Sequence, residues 1–426
     1  MSGRFRFRWR QLAHDLGNGL LFRPAMITSA LAILGLVLVE LEAENSLPRW
    51  EGGGWFFRND PGAAQAVLGA IAGSMMSVVS IVYSVLVVAL SLASVQFSPR
   101  ILGGFLRDRV SQRTLGVFIG TFTYCLLVMR SMNSDPPWVA TWAVAVGFLL
   151  GLVCLGFLIF FIHHIATGIQ VNNLVERISI DTEAVIDEVY PLGEVAPAPA
   201  VPESAASVIS TRAGYLQLVD HDGLAEVART HRLVIHVSVE PGDFIARGQE
   251  LARVAGSDLP AAALARCAGS FDLGSIRTMQ QDVAFGLRQL VDIALKAISP
   301  AVNDPSTAAT CIDRLGSLLA ELARRRPGPR IIRDGAVTRV VAPQPSFVDL
   351  VDLAFNQLRQ YGRGDLAVSI RLLTAIAMAA RSAHDAVGRL RLQFHADLVR
   401  DGLSPSFLPA DRRRFDEAYE ALAIGA

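Results

Sequence analysis

Lysine is all but missing: Lys296 stands alone among 39 basic residues. That is a bias of composition rather than of mechanism. Cysteine is scarce as well. Cys125, Cys154, Cys267 and Cys311 stand apart, with no Cys-x-x-Cys pair, and read as buried free thiols in a reducing compartment. Net charge is zero, 39 basic against 39 acidic residues, so the balance holds no footprint for nucleic acid. No nucleophile–base pair, metal-spaced cluster or glycine-rich phosphate loop is visible. No catalytic residue is assigned, no cofactor is implied, and the chain does not read as an enzyme.

Charge itself disappears between Pro61 and Pro99. Taken as helix from Ala63 to Val95, this run spans about 50 Å at ~1.5 Å per residue, against a hydrocarbon core of ~30 Å. It crosses a bilayer and either tilts or runs on past it. Gly73, Ser77, Ser80, Ser84, Ser91, Ser94 and Ser98 follow one another at 4, 3, 4, 7, 3 and 4 residues. That places a small, hydroxylated stripe along one side. Two readings compete. Small residues let helices approach, and Gly69–Gly73 has the small-xxx-small spacing. Alternatively, several copies turn these serines toward a water-filled path. Both hold together if the helix packs against its own symmetry mates.

Hydrophobic residues make up 52% and charged residues 18% of 426 residues, the balance of the membrane class with room for two or three domains. Residues 1–23 form a basic N-terminus, with Arg4, Arg6, Arg8, Arg10 and Arg23 around Phe5, Phe7 and Trp9. No small-residue cleavage site follows, so the segment reads as uncleaved. A four-helix transmembrane domain is expected over 24–163, its spans at 24–41, 61–99, 114–130 and 138–162. Loop 42–60 suits the outer side. Arg100, Arg107, Arg109 and Arg113 mark an inner loop, so both termini face the cytoplasm of a bacterial inner membrane. No span carries a charged residue near its middle, which argues against a proton-coupled pump.

His163 and His164 end the fourth span. Adjacent residues cannot share a helix face as an i, i+4 metal pair does, so they are weak metal candidates only. Residues 164–204 are expected to form an amphipathic helix and then a Pro/Ala linker. Residues 205–258 switch to short strands. The unit PGDFIARGQEL resembles the barrel-sandwich hybrid of lipoyl and biotinyl domains, and the absence of lysine there excludes covalent cofactor carriage. A binding or assembly module remains.

From 270 to 426 the pattern is helical. The helix around 283–298 buries Val283, Leu287, Leu290, Ala294 and Ile298 and sets Asp292 to pair with Lys296 at i, i+4. Pro300 and Pro305 bracket a turn after which Ser306 or Thr307 can cap the next helix. Arg288, Asp292, Lys296, Asn303 and Asp304 form either a polar functional corner or a structural one. Residues 331–342 read as a hairpin with Asp334-Gly335 as the turn. Three or four further helices occupy 346–424.

The stretches SMMSVVSIVYSVLVVALSLASVQFSPRIL (74–102), LGVFIGTFTYCLLVMR (115–130) and QDVAFGLRQLVDIALKAISPAVNDPSTA (281–308) together resemble a widespread bacterial family of predicted membrane proteins that carries only a domain-of-unknown-function label. The resemblance covers nearly the whole chain and implies the integral-membrane topology. It carries over no catalytic or binding residue.

The expected fold class is therefore an integral membrane α-helical protein of four spans. A cytoplasmic α+β region follows, with a small barrel-sandwich-like β domain and a helical domain. The expected partners are the lipid bilayer, further copies of the chain, and ions or a small ligand. The expected function is a homo-oligomeric inner-membrane channel or channel-like protein with a cytoplasmic vestibule. The alternative is a membrane-anchored sensor or assembly scaffold.

Overall fold

The computed structural model describes residues 22–44, 46, 60–96, 108–134, 137–168, 170–190, 205–256, 259–325 and 327–422. The basic residues 1–21, most of loop 42–60, residues 97–107 and the Pro/Ala linker lie outside them. The chain forms two compact units that divide between Gln170 and Val171.

In the N-terminal unit four helices are long and apolar enough to cross a membrane. They are α1 (Phe22–Ala43), α2 (Pro61–Gln96), α3 (Arg109–Ser131) and α4 (Thr141–Gly168). A two-stranded ribbon, β1 (Asn133–Ser134) with β2 (Pro137–Trp138), joins α3 to α4. Helix α2 has 36 residues, about 54 Å at ~1.5 Å per residue, close to the length expected. A close contact joins α3 to α1. A Cβ on Gly116 would sit 2.9 Å from Pro24 Cα, and one on Gly120 would sit 2.7 Å from Leu31 Cδ1. So the Gly-xxx-Gly pair of α3 seats α1 backbone to backbone. Gly69 and Gly73 do nothing comparable within the unit: a Cβ on Gly69 would only touch Met129 Cε at 3.7 Å, and one on Gly73 would meet nothing.

Two polar groups lock one end of this bundle. Buried Tyr124 donates its hydroxyl to Ala143 O at 2.8 Å. Glu42, in the last turn of α1, accepts the Ala143 amide at 2.8 Å and also the amides of Thr141 and Trp142. These are the free N–H groups that begin α4, and a carboxylate is their natural acceptor.

The C-terminal unit begins with α5 (Val171–Val189), a helix separate from α4 rather than its continuation. The β region contains β3 (Ala206–Ile209), β4 (Gly214–Val219), α6 (His221–Thr230), β5 (Val234–Val237), β6 (Phe244–Ile245), β7 (Glu250–Ala255), α7 (Ala261–Ala268) and β8 (Phe271–Gly274). Next come α8 (Val283–Ala297), α9 (Pro305–Arg325), the hairpin β9 (Arg330–Asp334) and β10 (Val337–Ala342), and four helices. Those are α10 (Phe347–Gly362), α11 (Leu366–Ser382), α12 (Ala386–Asp401) and α13 (Pro409–Glu420).

The strands make a five-stranded mixed sheet, β3-β7-β5-β10-β9, and a three-stranded sheet, β6-β4-β8. Strand β10 lies parallel to β5, with Val340 opposite Ile235 and Val341 opposite His236. The 330–342 hairpin is therefore part of the sheet that residues 206–255 begin. Its tip differs by one residue from the expected turn. Asp334 pairs with Val337, leaving Gly335-Ala336 as the loop. Only Gly335 has positive φ, +60°, the pattern of a type II′ turn. Leu216, Leu233, Ile235, Val254 and Val340 fill the core below these strands.

Helices α5, α8, α9 and α11 pack through small residues. A Cβ on Gly286 of α8 would lie 2.2 Å from Thr182 Oγ1 of α5, and one on Gly316 of α9 would lie 2.9 Å from Ala375 Cα of α11. Arg325 ends α9 by ion-pairing Glu321 and Asp187 and donating to Tyr190 O at 3.1 Å, which holds the end of α5. The apolar face expected for α8 is buried, with Val283, Leu287, Leu290 and Ala294 in the core. All four cysteines are buried free thiols.

Candidate functional site

On α2 the expected stripe faces away from its own bundle. Ala64, Leu68, Ala72, Met75, Val82 and Ala89 are buried along one side. Gly73, Ser77, Ser80, Ser84 and Ser91 are exposed along the other. The side chain of Ser94 and all of Ser98 lie outside the described residues. From Gly73 to Ser91 the row runs about 27 Å at ~1.5 Å per residue. Two of its hydroxyls return to the helix: Ser77 donates to Gly73 O at 3.4 Å and Ser84 to Ser80 O at 2.9 Å. That internal bonding reduces the cost of placing a serine in hydrocarbon.

Four of the five polar residues from Arg288 to Asp304 have structural duties. Arg288 donates to Asp292 at 2.9 Å within α8, so the resolved i, i+4 partner of Asp292 is an arginine, where Lys296 was expected. Lys296 is exposed at the helix end. Asn303 holds the turn with φ of +52°, a conformation Asn tolerates better than most residues. Asp304 caps α9, accepting the Thr307 amide at 3.1 Å and the Thr307 hydroxyl at 2.6 Å, with Pro305 as first helical residue. The cap is thus two residues earlier than Ser306 and three earlier than Thr307. Thr307 serves as its donor, and those hydrogen bonds hold the Asp304 carboxyl below its ordinary range.

Among the described residues no group of three His, Cys, Asp or Glu side chains could hold a metal. His164 Nε2 lies 3.1 Å from Asp108 Oδ2, and the same carboxylate caps α3 through the Ser111 amide at 2.9 Å.

The C-terminal unit also holds a cleft that no local sequence pattern marks. Its walls are the last turn of α5 (Glu188, Tyr190), the first residues of α6 (His221) and α8 (Asp282, Val283), and the two ends of the β9–β10 hairpin (Arg330, Pro343 to Pro345). The segments lock to one another. Tyr190 donates its hydroxyl to Pro345 O at 3.1 Å and Gln344 donates to Val189 O at 3.4 Å. Gln281 clasps β4 through the Val219 amide at 2.9 Å and carbonyl at 3.1 Å.

Asp282 is buried. It caps α8 through the Phe285 amide at 2.9 Å and ion-pairs Arg277 at 2.6 Å. Burial pushes its carboxyl above the ordinary range, against the pull of Arg277. Gly242, at φ +98°, lets the backbone pass beside this pair, where a Cβ would lie 2.2 Å from Asp282 Oδ2. Burial, then Asp243, Asp349 and Asp282, push the nearby Glu240 carboxyl up to about 6. His221 is only 9% exposed. Burial first, and the Arg330 charge second, pull its imidazole down to about 4, so the ring is neutral near pH 7. These residues sit in separate segments of the chain, and no spacing rule connects them.

The profile of a family described as "predicted membrane protein (DUF2254)" matches residues 18–378. An uncharacterised protein of Mycobacterium bovis and one of Mycobacterium tuberculosis strain H37Rv are each 33% identical to this chain over 389 residues. The alignment covers 87% of this chain and 72% of each relative. No solved structure matches.

Proposed function

This chain belongs to the DUF2254 family of predicted membrane proteins, and we propose that it assembles as a homo-oligomeric inner-membrane channel or channel-like protein. The observation that carries this reading is the outward stripe of α2. Its packed side is already satisfied within the unit, and its serine side is left over. That side runs for nearly the thickness of a ~30 Å hydrocarbon core. Lipid gains little from a row of serines, whereas a second copy or a column of water gains close approach or hydrogen bonds. Both termini lie in the cytoplasm in this reading, and the C-terminal unit forms the vestibule. Its two sheets act as a barrel-sandwich-like assembly module.

The test is native mass and particle imaging of the detergent-purified protein, followed by flux into liposomes. A symmetric ring with Ser80 and Ser84 on a hydrated axis is expected. Ser80→Leu or Ser84→Leu then lowers flux by about an order of magnitude with assembly intact, because an apolar constriction dewets. A monomer, or a protein that passes no ions at any pH, voltage or tension, removes the channel reading.

The cleft of the C-terminal unit favours a second reading, a membrane-anchored sensor or scaffold. It predicts tightly packed α2 helices and a melting temperature that responds to a ligand.

A further inference from the structure

Cationic and neutral hydrogen-bond donors meet in the cleft without acceptors of their own. The Arg330 guanidinium forms no ion pair or hydrogen bond with any described residue, although it lies close enough to His221 to act on its ring. The His221 ring, nine-tenths buried, lines the cleft and likewise makes no hydrogen bond with a described residue. The ring nitrogens are not sealed in the core but stay accessible from the cleft, where a group or water can reach them. Two helices also begin here, α6 at His221 and α8 at Val283. Asp220 and Asp282 already cap those first turns through the Gly223 and Phe285 amides, so the donors left for a ligand are the two side chains. The buried acid of the cleft, Asp282, is already balanced by Arg277.

We propose that this cleft binds a phosphate group, held by the Arg330 guanidinium and by the His221 ring donating through its N–H. Arginine presents two parallel donors that match two oxygens of a phosphate. The neutral imidazole supplies a third donor without a second cation to desolvate. Phosphate suits the cleft better than a carboxylate does, because Glu188 also lines it. A protonated phosphate oxygen donates to that carboxylate, whereas a carboxylate ligand only repels it. The inference is independent of how many copies assemble: a monomer that binds phosphate leaves it standing, and a ring that does not bind phosphate overturns it.

The experiment is calorimetric titration of the full-length protein in detergent at fixed ionic strength. Inorganic phosphate, glycerol 3-phosphate and acetate are the three probes. Saturable binding of inorganic phosphate points to the free ion. Binding of glycerol 3-phosphate alone points to a phosphate carried on a larger molecule. Either supports the site, provided that Arg330→Met weakens it by at least about tenfold and Arg330→Lys by less, as loss of the fork but not the charge requires. His221→Gln, which retains an N–H donor, weakens binding less than His221→Phe. Melting curves without ligand establish that each variant is folded. No saturable binding of either phosphate, equal binding by folded Arg330→Met, or acetate binding as tight as phosphate each overturns the proposal.

Discussion

At the scale of residues, the C-terminal unit buries histidines that would rather be charged outside it. His221 is pulled down to about 4, and burial lowers His236 and His395 as well. A histidine with a lowered folded value takes up its proton first in the unfolded chain. Its contribution is therefore complete above the unfolded value of ~6.5 and fades as pH falls toward the folded value. For His221 that loss amounts to about 3 kcal/mol between about pH 6.5 and about 4. Glu240 works in the opposite direction. Its carboxyl is raised to about 6, so the folded state holds the extra proton, and stability is gained as pH falls from about 6 toward the unfolded value of ~4.3. Melting temperature should therefore drop from pH 7.5 to 6 and flatten below. Glu240→Gln should raise the melting temperature at pH 7.5 and make the decline below pH 6 steeper. A variant whose profile parallels the wild type would show that Glu240 does not titrate in this range.

At the scale of elements, glycines set the helix spacing. Gly286→Ala pushes a methyl onto Thr182 and should cost about 1–3 kcal/mol by overpacking. Thr182→Ala in the same chain should recover part of it, as contact coupling requires. Gly120→Leu should separate α3 from α1 and lower the detergent melting temperature, while Gly73→Ala, with open space around it, should leave the monomer fold unchanged. The last variant is informative at assembly level, since weaker oligomers with intact protomers would place α2 at the interface. These elements were largely legible in the sequence. The charge-free run, the amphipathic face of α8 and the Asp334-Gly335 signal are local patterns, and local patterns survive into structure. The Gly116-xxx-Gly120 pair was equally local, but the longer stripe on α2 has the same kind of spacing, and spacing does not name the partner helix. The cap at Asp304 lies two or three residues before the expected one because Asp, Ser and Thr are all good caps and three of them crowd that corner.

At the scale of the whole molecule, what escaped the sequence is what depends on distant segments meeting. Strand β10 joins β5 in a sheet that β3 begins, yet nothing in a local hydrophobic pattern says which strand a hairpin will join. The cleft follows from that pairing, since Arg330 and Pro343 to Pro345 are the hairpin's two ends. Its candidate residues were invisible for the same reason. Deleting 330–342 should therefore abolish cooperative melting of the β region as well as phosphate binding, whereas Gly335→Ala, at the exposed tip, should cost only about 1 kcal/mol through the strained positive φ. If the deleted chain still melts cooperatively, β10 is dispensable to the sheet.

The placement of β10 also carries a cost in time. Strand β5 has β7 on one side from residue 255 onward, but its other edge waits for residues 340 and 341. At ~5–20 residues per second a ribosome takes about 4–17 s to add that intervening chain. Throughout that interval the nascent protein presents an unpaired, Val- and Ile-bearing strand edge. Such an edge invites pairing with a neighbouring nascent chain. Synthesis from densely loaded messages, or slow codons between 256 and 340, should then raise aggregation without altering the finished protein's stability.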